Sequence, residues 1–408
     1  MRAPCRAIVL ALFAAALVAP SAAGDVEDGS RPYGVVIQTP TTDPEFVAMR
    51  DGGVGTYRWS ITWPAVQPEP GADPDWSGTD RVVADLAENG IEPLPVLYGT
   101  PCYVVECREA EQVSAKPPID SAEGRRGWAR FVGEVVRRYG RNGSFWAERP
   151  SIPYRPIRVW QVWNEQNVPQ FYRPAPSVNG YAELLAISSR AIRSVDAQAT
   201  VLLGGMPGDP GQRGSIDGPP FLDELYGIGA GGDFDAVAVH PYSQDLAGVR
   251  SQVAAMHQML EAHAQTKTPI WVTELGWGVD SGSGRGLFKT LDGQAEALRR
   301  SFGFLESRRD AWNLERVLWY AWRDSEPGQA ACDWCRTAGL IDAEGNPRPA
   351  WTAFAALSGG TPVSPADLEA GDDGSARWIL VVVALALVAT AAAWLVRRRS
   401  APSNRASR

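Results

Sequence analysis

The chain has 408 residues, and 45% of them are hydrophobic, which is enough for one large buried core. Its formal net charge is −8, but eight of the 39 basic residues lie near the two ends, so positions 24–376 carry 31 basic and 47 acidic groups, or −16. Such an acidic surface disfavours nucleic acid and anionic polymers as partners, whereas neutral sugars are not excluded.

The first 23 residues are typical of a secretory signal peptide. Arg2 and Arg6 precede an apolar stretch at 7–19, and the small residues at 21–23 predict cleavage after Ala23. An uncleaved anchor helix is the alternative, but the apolar stretch is shorter than the about 20 residues that cross a bilayer. We therefore expect an exported protein whose catalytic domain spans 24–358.

Eight β-rich strings alternate with helix-compatible stretches along this domain. The predicted strands are 33–38, 55–60, 92–97, 157–163, 200–204, 236–240, 270–273 and 316–321. The predicted helices are at about 43–51, 78–89, 122–139, 178–195, 219–227, 245–264, 289–308 and 349–357. This alternation implies parallel strands joined by right-handed crossovers, and closure of the sheet removes its edges. The sequence predicts an α/β fold of the (β/α)8 TIM barrel type, with its chemistry at the carboxyl ends of the strands.

Two glutamates follow β-rich strings in the predicted barrel. Glu165 ends the string V-W-N-E after the fourth strand, and Glu274 lies in V-T-E-L at the end of the seventh. Cleavage of a glycosidic bond needs one group that protonates the leaving oxygen and another that stabilises the anomeric carbon, and two close carboxyl groups supply both. We predict that Glu165 and Glu274 form this catalytic pair.

The order of these strings resembles the clan A glycoside hydrolases, and is most similar to family 39 and family 5 enzymes. The resemblance covers roughly residues 33–357. It implies that Glu165 is the acid/base and Glu274 the nucleophile of a retaining enzyme, with carboxyl groups about 5 to 5.5 Å apart. Asn164 would bind the 2-hydroxyl of the sugar, although a helix cap explains an asparagine there equally well. Gln166 stands where proline is commoner, which is a departure from the family pattern.

Three further residues match polar groups that surround the nucleophile in these enzymes. Arg58, at the end of the second strand, would keep Glu274 ionised. His240 and Tyr242, in the string V-H-P-Y after the sixth strand, match a pair whose tyrosine donates a hydrogen bond to the nucleophile. A structural salt bridge also explains Arg58 alone, and a buried structural histidine explains His240 alone.

Tryptophan is frequent in the chain, which has 16, and several of these residues follow predicted strands. Flat aromatic rings bind the apolar faces of sugars. Trp319 is the first candidate for the platform beneath the reacting sugar, and Trp322 is the second, because the side-chain alternation of the eighth strand is unresolved. Filling of the barrel core explains any single tryptophan equally well.

Four cysteines remain after the signal peptide, in two closely spaced pairs. Cys102 with Cys107 and Cys332 with Cys335 predict two local disulfides in an exported protein. A four-cysteine zinc site and a redox-active C-x-x-C are the less favoured alternatives. We expect no metal and no cofactor.

The C-terminal end predicts a membrane anchor. A flexible stalk at 359–377 leads to a charge-free apolar run at 378–396, and a basic cytoplasmic tail follows at 397–408. A buried core helix is the alternative interpretation of the apolar run. The anchor would place the catalytic domain outside the cell membrane.

Together these patterns predict a monomeric, membrane-anchored, extracellular glycosidase that hydrolyses O-glycosidic bonds of a polysaccharide or oligosaccharide by double displacement. The alternatives are a catalytically silent barrel that binds carbohydrate as a receptor or scaffold, and a transglycosylase that uses the same residues. The sequence does not predict which sugar or linkage is the substrate.

Overall fold

The computed structural model describes residues 31–108, 111–280, 286–326, 328, 330 and 332–363. The predicted signal peptide, the predicted membrane helix at 378–396 and the predicted cytoplasmic tail lie outside these residues, as does most of the predicted stalk. Among the helices that the structure describes, none has the length and apolar character needed to cross a membrane.

The described part of the chain contains all eight predicted strands. They are β1 (Tyr33–Val36), β2 (Thr56–Thr62), β3 (Glu92–Tyr98), β4 (Val159–Val162), β5 (Thr200–Leu203), β6 (Val237–His240), β7 (Ile270–Leu275) and β8 (Leu314–Tyr320). Neighbouring strands pair in parallel, in the order β5-β4-β3-β2-β1-β8-β7-β6.

The sheet curls until its two ends meet. Leu202 of β5 forms a parallel bridge with Ala236, directly before β6. A two-residue strand that follows β5, Met206–Pro207, pairs in parallel with Val239 and His240 of β6. These contacts close the sheet and confirm the predicted barrel. A second short parallel pair, Gly278–Val279 with Phe288–Lys289, lies in the loop after β7.

Helices fill the connections between the strands, as predicted. They are α1 (Asp43–Asp51), α2 (Trp63–Val66), α3 (Ser77–Asn89), α4 (Ala122–Tyr139), α5 (Ser144–Glu148), α6 (Val178–Val195), α7 (Gly218–Gly227), α8 (Leu246–Ala262), α9 (Leu291–Glu306) and α10 (Pro349–Ser358). Two 3-10 turns, Ala230–Gly232 and Trp334–Thr337, complete the described helical segments.

Helix α4 shows how the sequence builds this outer layer. The hydroxyl of Ser121 accepts a hydrogen bond from the Gly124 amide at 2.9 Å and caps the first turn. Apolar residues then recur three or four positions apart, so they share one buried face: Trp128, Phe131, Val132, Val135 and Val136. The indole of Trp128 also donates to the Ser188 hydroxyl of α6 at 2.8 Å, which joins two neighbouring helices.

Alternation along the strands divides the core into two layers. Inside the barrel lies a small cluster: Val36, Leu94, Leu202, Ala236, Ala238, Trp271 and Leu318. The larger cluster fills the space between strands and helices, and it contains Val35 and Trp319. The position of a residue in this alternation therefore decides whether its side chain can reach the mouth of the barrel.

Candidate active site

One cavity opens at the carboxyl ends of the strands, and its volume is about 610 Å³. Six of the residues singled out in the sequence line it: Arg58, Asn164, Glu165, His240, Tyr242 and Glu274. They come from β2, β4, β6 and β7 or from the loops that follow, so the barrel brings together side chains that are far apart in the sequence.

Glu165 is placed by an irregular turn after β4. Trp163 and Glu165 both adopt left-handed backbone conformations, with φ of 68° and 47°, which non-glycine residues rarely adopt. The Trp163 amide donates to the Leu97 carbonyl of β3, and the Glu165 amide donates to the Gly205 carbonyl after β5, each at 2.9 Å. These two hydrogen bonds hold the turn between the neighbouring strands and place the carboxyl group in the cavity.

Glu274 owes its direction to an irregularity in β7. Val272 pairs with Val317 and Leu275 with Trp319, so three steps along β7 oppose two along β8. Such a bulge changes the direction in which a side chain points. Because of the bulge, the successive residues Thr273 and Glu274 both reach residues of the same cavity wall. Thr273 contacts His240, and Glu274 contacts Tyr242.

Glu165 is paired with His240, whose ring is fully buried. The ring nitrogen Nδ1 lies 2.9 Å from Glu165 Oε1, and Nε2 lies 3.0 Å from the Thr273 hydroxyl and 3.6 Å from Glu274 Oε1. Burial raises the pKa of Glu165 above its usual 4.5, and the negative charge of Glu274 raises it further, while His240 opposes this rise.

Glu274 has stronger partners. Arg58 donates to Oε1 at 2.6 Å, and the hydroxyl of Tyr242 donates to Oε2 at 2.7 Å. Burial alone would raise the pKa of Glu274, but His240, Arg58 and Tyr242 together outweigh burial and hold the pKa below its usual 4.5. The same contacts raise the pKa of Tyr242 well above 10, because burial and the adjacent carboxylate both disfavour its anion.

Arg58 is the centre of a buried polar network. Besides Glu274, its guanidinium donates to the side-chain oxygens of Gln161 and Asn164, each at 2.7 Å. Gln161 in turn donates to the Leu203 carbonyl at 3.0 Å. The arginine is 3% exposed, and the carboxylate of Glu274, 2.6 Å away, balances its buried charge. Gln161 was not among the predicted site residues, although a lone polar residue in the apolar string of β4 was a usable signal.

The two carboxyl groups are close to each other. One oxygen of Glu165, a ring nitrogen of His240 and one oxygen of Glu274 all lie within 4.8 Å of one another. This spacing fits the about 5 to 5.5 Å of retaining glycosidases better than the about 6.5 to 9.5 Å of inverting ones. Three such groups could also hold a metal ion, so the expected absence of a metal cofactor stays a prediction.

The structure places Trp319 and Trp322 away from the cavity, and the prediction that they form its platform is wrong. Trp319 is fully buried, its indole donates to the Ala338 carbonyl at 3.0 Å, and its ring packs against Trp277. Trp322 is 1% exposed, and its indole donates to Glu45 at 2.8 Å. Alternation along β8 turns Trp319 toward the helices and its neighbour Tyr320 toward the barrel mouth.

Aromatic residues other than the two predicted platform residues line the cavity. They are Trp59, Tyr98, Phe171, Tyr320 and Trp334. Tyr320 lines the cavity because side chains alternate along β8, and its neighbour Trp319 points to the opposite face. Trp334 lies between the two cysteines of the C-x-x-C string, in a loop that no strand or helix periodicity covers.

Both predicted disulfides are present, Cys102–Cys107 and Cys332–Cys335. Each pair closes on itself, so the four cysteines do not form the alternative zinc site. The second disulfide borders the cavity, since both of its cysteines line it, whereas neither cysteine of the first does.

Comparison with known proteins supports the resemblance seen in the sequence. Residues 176–354 match a family model described as a glycosyl hydrolase catalytic core. A family 39 glycoside hydrolase from Bacteroides cellulosilyticus WH2 has a similar structure, with 20% identity and a TM-score of 0.59, and the match covers 80% of this chain and 63% of that one. The present chain therefore spans less than two thirds of that relative.

Two further solved structures are similar over most of this chain. A monomeric β-xylosidase from Caulobacter crescentus CB15 is 18% identical with a TM-score of 0.59, and the match covers 80% of this chain and 68% of that one. A GH5_18 protein from Bifidobacterium longum subsp. infantis is 16% identical with a TM-score of 0.58, with coverages of 82% and 79%. At these identities the similarity shows the shared fold. Family 39 and family 5 structures are the relatives that the sequence motifs predicted.

Proposed function

We propose that this protein is a retaining glycoside hydrolase in which Glu165 is the acid/base and Glu274 the nucleophile. The observation that carries the proposal is the pair of buried carboxyl groups, at most 4.8 Å apart in one cavity, with different hydrogen-bond partners. The family match and the shared fold support the same reaction class.

In the first step, Glu274 attacks the anomeric carbon and forms a bond to it through a carboxylate oxygen. The bond to the leaving oxygen breaks, and Glu165 gives its proton to that oxygen, so the aglycone leaves as a neutral alcohol. In the second step, Glu165 accepts a proton from water, whose oxygen attacks the same carbon and displaces Glu274. Two inversions give overall retention.

The opposite shifts in pKa match these roles. Glu165 must hold a proton when the substrate binds, and burial raises its pKa. Glu274 must be ionised to attack, and its cationic and hydroxyl partners lower its pKa despite the burial. Two carboxyl groups whose environments move their pKa values apart are a general mark of an acid and a nucleophile that work together.

Asn164 has a position suited to its proposed contact with the 2-hydroxyl of the sugar. Its side-chain oxygen accepts from Arg58, so its amide nitrogen is directed by that contact and can donate to a substrate oxygen. Asn164 also lines the cavity that contains both glutamates. This arrangement favours the sugar-binding role over a helix cap, since the next described helix, α6, begins at Val178 and is capped by Ser177.

The substrate we propose is a neutral sugar joined by an O-glycosidic bond. Named relatives with this fold include β-xylosidases and a glucosidase from Croceicoccus marinus. The acidic balance of the exported part supports an uncharged substrate. The apolar and charge patterns of the two ends support an exported enzyme that a C-terminal helix anchors in the cell membrane, with the barrel outside.

The test uses purified full-length protein and 4-nitrophenyl β-glycosides of xylose, glucose and mannose. We expect release of nitrophenol, and proton NMR of the first product should show the anomer of the substrate. Glu274→Ala should lose at least about 10⁴-fold in kcat, since no other group can attack. Glu296→Ala, at an exposed position of α9, should be unchanged.

Glu165→Ala should separate the two roles. General acid catalysis contributes about 10²- to 10⁴-fold, and the loss should be larger for a methyl glycoside than for the nitrophenyl one, whose leaving group needs little protonation. Full activity of Glu274→Ala, or a product of inverted configuration, would refute the proposal. Binding of glycans without any release would favour the receptor, and disaccharide products made in preference to hydrolysis would favour the transglycosylase.

A further inference from the structure

We propose that Trp334 is a sugar-binding residue of the cavity and that the Cys332–Cys335 disulfide positions it. This inference rests on the proposed function, because it assigns a wall of the same active site. It extends that function by giving the C-x-x-C string a role in substrate affinity.

Trp334 lies next to the nucleophile's hydrogen-bond donor. Its ring centroid is 4.8 Å from that of Tyr242 and 5.7 Å from that of Tyr320, and the two tyrosine rings are 6.2 Å apart. Since the Tyr242 hydroxyl contacts Glu274 at 2.7 Å, a single aromatic ring separates Trp334 from the nucleophile. We call Tyr242, Tyr320 and Trp334 the aromatic corner.

The chemistry of this corner suits a sugar ring. Each of its three side chains lines the cavity and is only partly buried, in contrast with Trp319 and Trp322. A partly exposed tryptophan in a cavity offers an apolar surface on which the C–H face of a sugar can stack, while nearby polar groups bind the hydroxyls. Gln38 is such a group as an acceptor. It lines the same cavity, and its side-chain oxygen accepts from Tyr320 at 2.8 Å and has a second lone pair, while its amide nitrogen donates to the Arg323 and Cys335 carbonyls.

The disulfide fixes the backbone that carries Trp334. Cys332 and Cys335 bracket the tryptophan, and their bond closes a short loop around it. The carbonyl of Cys335 accepts from the Gln38 side chain at 3.1 Å. On the opposite side, Gly278 packs so closely that a Cβ there would overlap the Trp334 carbonyl oxygen. The 3-10 turn Trp334–Thr337 is only four residues long. We therefore infer that the disulfide restrains its backbone conformation.

The chain supplies a matched control for this disulfide. Cys102–Cys107 closes a loop of similar length, and neither of its cysteines lines the cavity. If removal of a disulfide acted only by lowering the stability of the protein, removal of either disulfide would affect the kinetics. An effect on substrate affinity through Trp334 is expected for Cys332–Cys335 alone.

The experiment measures kcat and KM on the most active nitrophenyl glycoside for full-length protein. Trp334→Ala should raise KM about tenfold with kcat changed by less than about threefold, because it removes binding that the ground state and the transition state share. Trp334→Phe should restore most of the affinity. Trp312→Ala, which removes a partly buried tryptophan packed on Phe304 away from the cavity, should leave KM unchanged.

The double substitution Cys332→Ser/Cys335→Ser should raise KM, as Trp334→Ala does. The double substitution Cys102→Ser/Cys107→Ser should leave KM unchanged. If the disulfide acts through the tryptophan, its removal from Trp334→Ala should add less than about twofold, since coupled sites are not additive. An unchanged KM in Trp334→Ala, a failure of Trp334→Phe to restore it, or additive effects in the combined variant would overturn the inference.

The proposed function and this inference can fail separately. An inactive wild-type protein would refute the hydrolase, and Trp334 would then be tested by calorimetric binding of xylobiose and cellobiose to wild type and Trp334→Ala. Equal dissociation constants, or no binding by either protein, would overturn the inference. A dissociation constant about tenfold weaker in the variant would support it.

Discussion

The replacement Arg58→Met tests the electrostatic basis of the site most directly. Arg58 is 3% exposed and makes three side-chain hydrogen bonds of 2.6 to 2.7 Å, one of them to the Glu274 carboxylate. Removal of one partner from a buried ion pair leaves an uncompensated charge and destabilises a protein by about 3–5 kcal/mol. We expect a loss of this size in the free energy of unfolding at pH 7, measured by urea titration.

The same replacement should change the pH dependence of catalysis. In the wild type the pKa of Glu274 lies below 4.5, so the stability that its charge contributes is present above the unfolded pKa and is lost as the pH falls through the folded one. Without Arg58, burial and repulsion from Glu165 raise that pKa. The acidic limb of kcat/KM should therefore move to higher pH, and kcat should fall on the order of 10²- to 10³-fold.

Two controls separate this explanation from a general defect. Arg299→Met removes an ion pair with Glu296 whose side chains are 51% and 55% exposed, and it should change stability by less than about 1 kcal/mol. Adding Glu274→Gln to Arg58→Met should recover part of the lost stability, because the uncompensated charge is gone. The explanation would be refuted if Arg58→Met lowered the free energy of unfolding no more than Arg299→Met and left the acidic limb of kcat/KM in place.

Three more predictions follow from the same geometry. The profile of kcat/KM against pH should be bell-shaped, with its acidic limb below pH 4.5 and its basic limb above it, as Glu274 protonates and Glu165 ionises; coincident limbs would contradict this. Gly205→Ala should reduce kcat on the order of 10²-fold, because its Cβ would overlap the His240 ring, whereas Gly232→Ala has open space and should be silent in the same assay. Dialysis against EDTA should leave kcat unchanged, and a loss that zinc restores would instead assign the three-residue cluster around His240 to a metal.

The polar part of the site could be predicted because strand ends have a fixed place in a parallel barrel. Once eight strands were recognised, residues of the carboxyl-terminal parts of the strands and of the loops that follow were expected to converge at one mouth. Arg58, Glu165, His240 and Glu274 meet there as expected, although 216 positions separate the first from the last. The order of elements placed these residues at one mouth, the resemblance to clan A enzymes singled them out, and the bulge in β7 that orients Glu274 was not predictable from the sequence.

The aromatic part could not be predicted in the same way. A strand turns successive side chains to opposite faces, so an error of one position moves a residue from the mouth to the helix layer. This error separates Trp319 from Tyr320. Trp334 lies in a loop after β8, where no periodicity indicates the direction of a side chain, and only the folded loop and its disulfide bring it to the cavity.

The division of roles between the glutamates arises from their neighbours and not from their own burial. Glu165 and Glu274 are almost equally buried, at 8% and 7% exposed, and desolvation is the largest influence on the pKa of each. Desolvation raises both values, so it cannot distinguish the two groups. The difference between the two pKa values comes from Arg58 of β2 and Tyr242 after β6, which donate hydrogen bonds to Glu274 and not to Glu165. Under the proposed mechanism these two residues, together with the bulge in β7 that turns Glu274 toward them, determine which glutamate attacks and which one holds the proton.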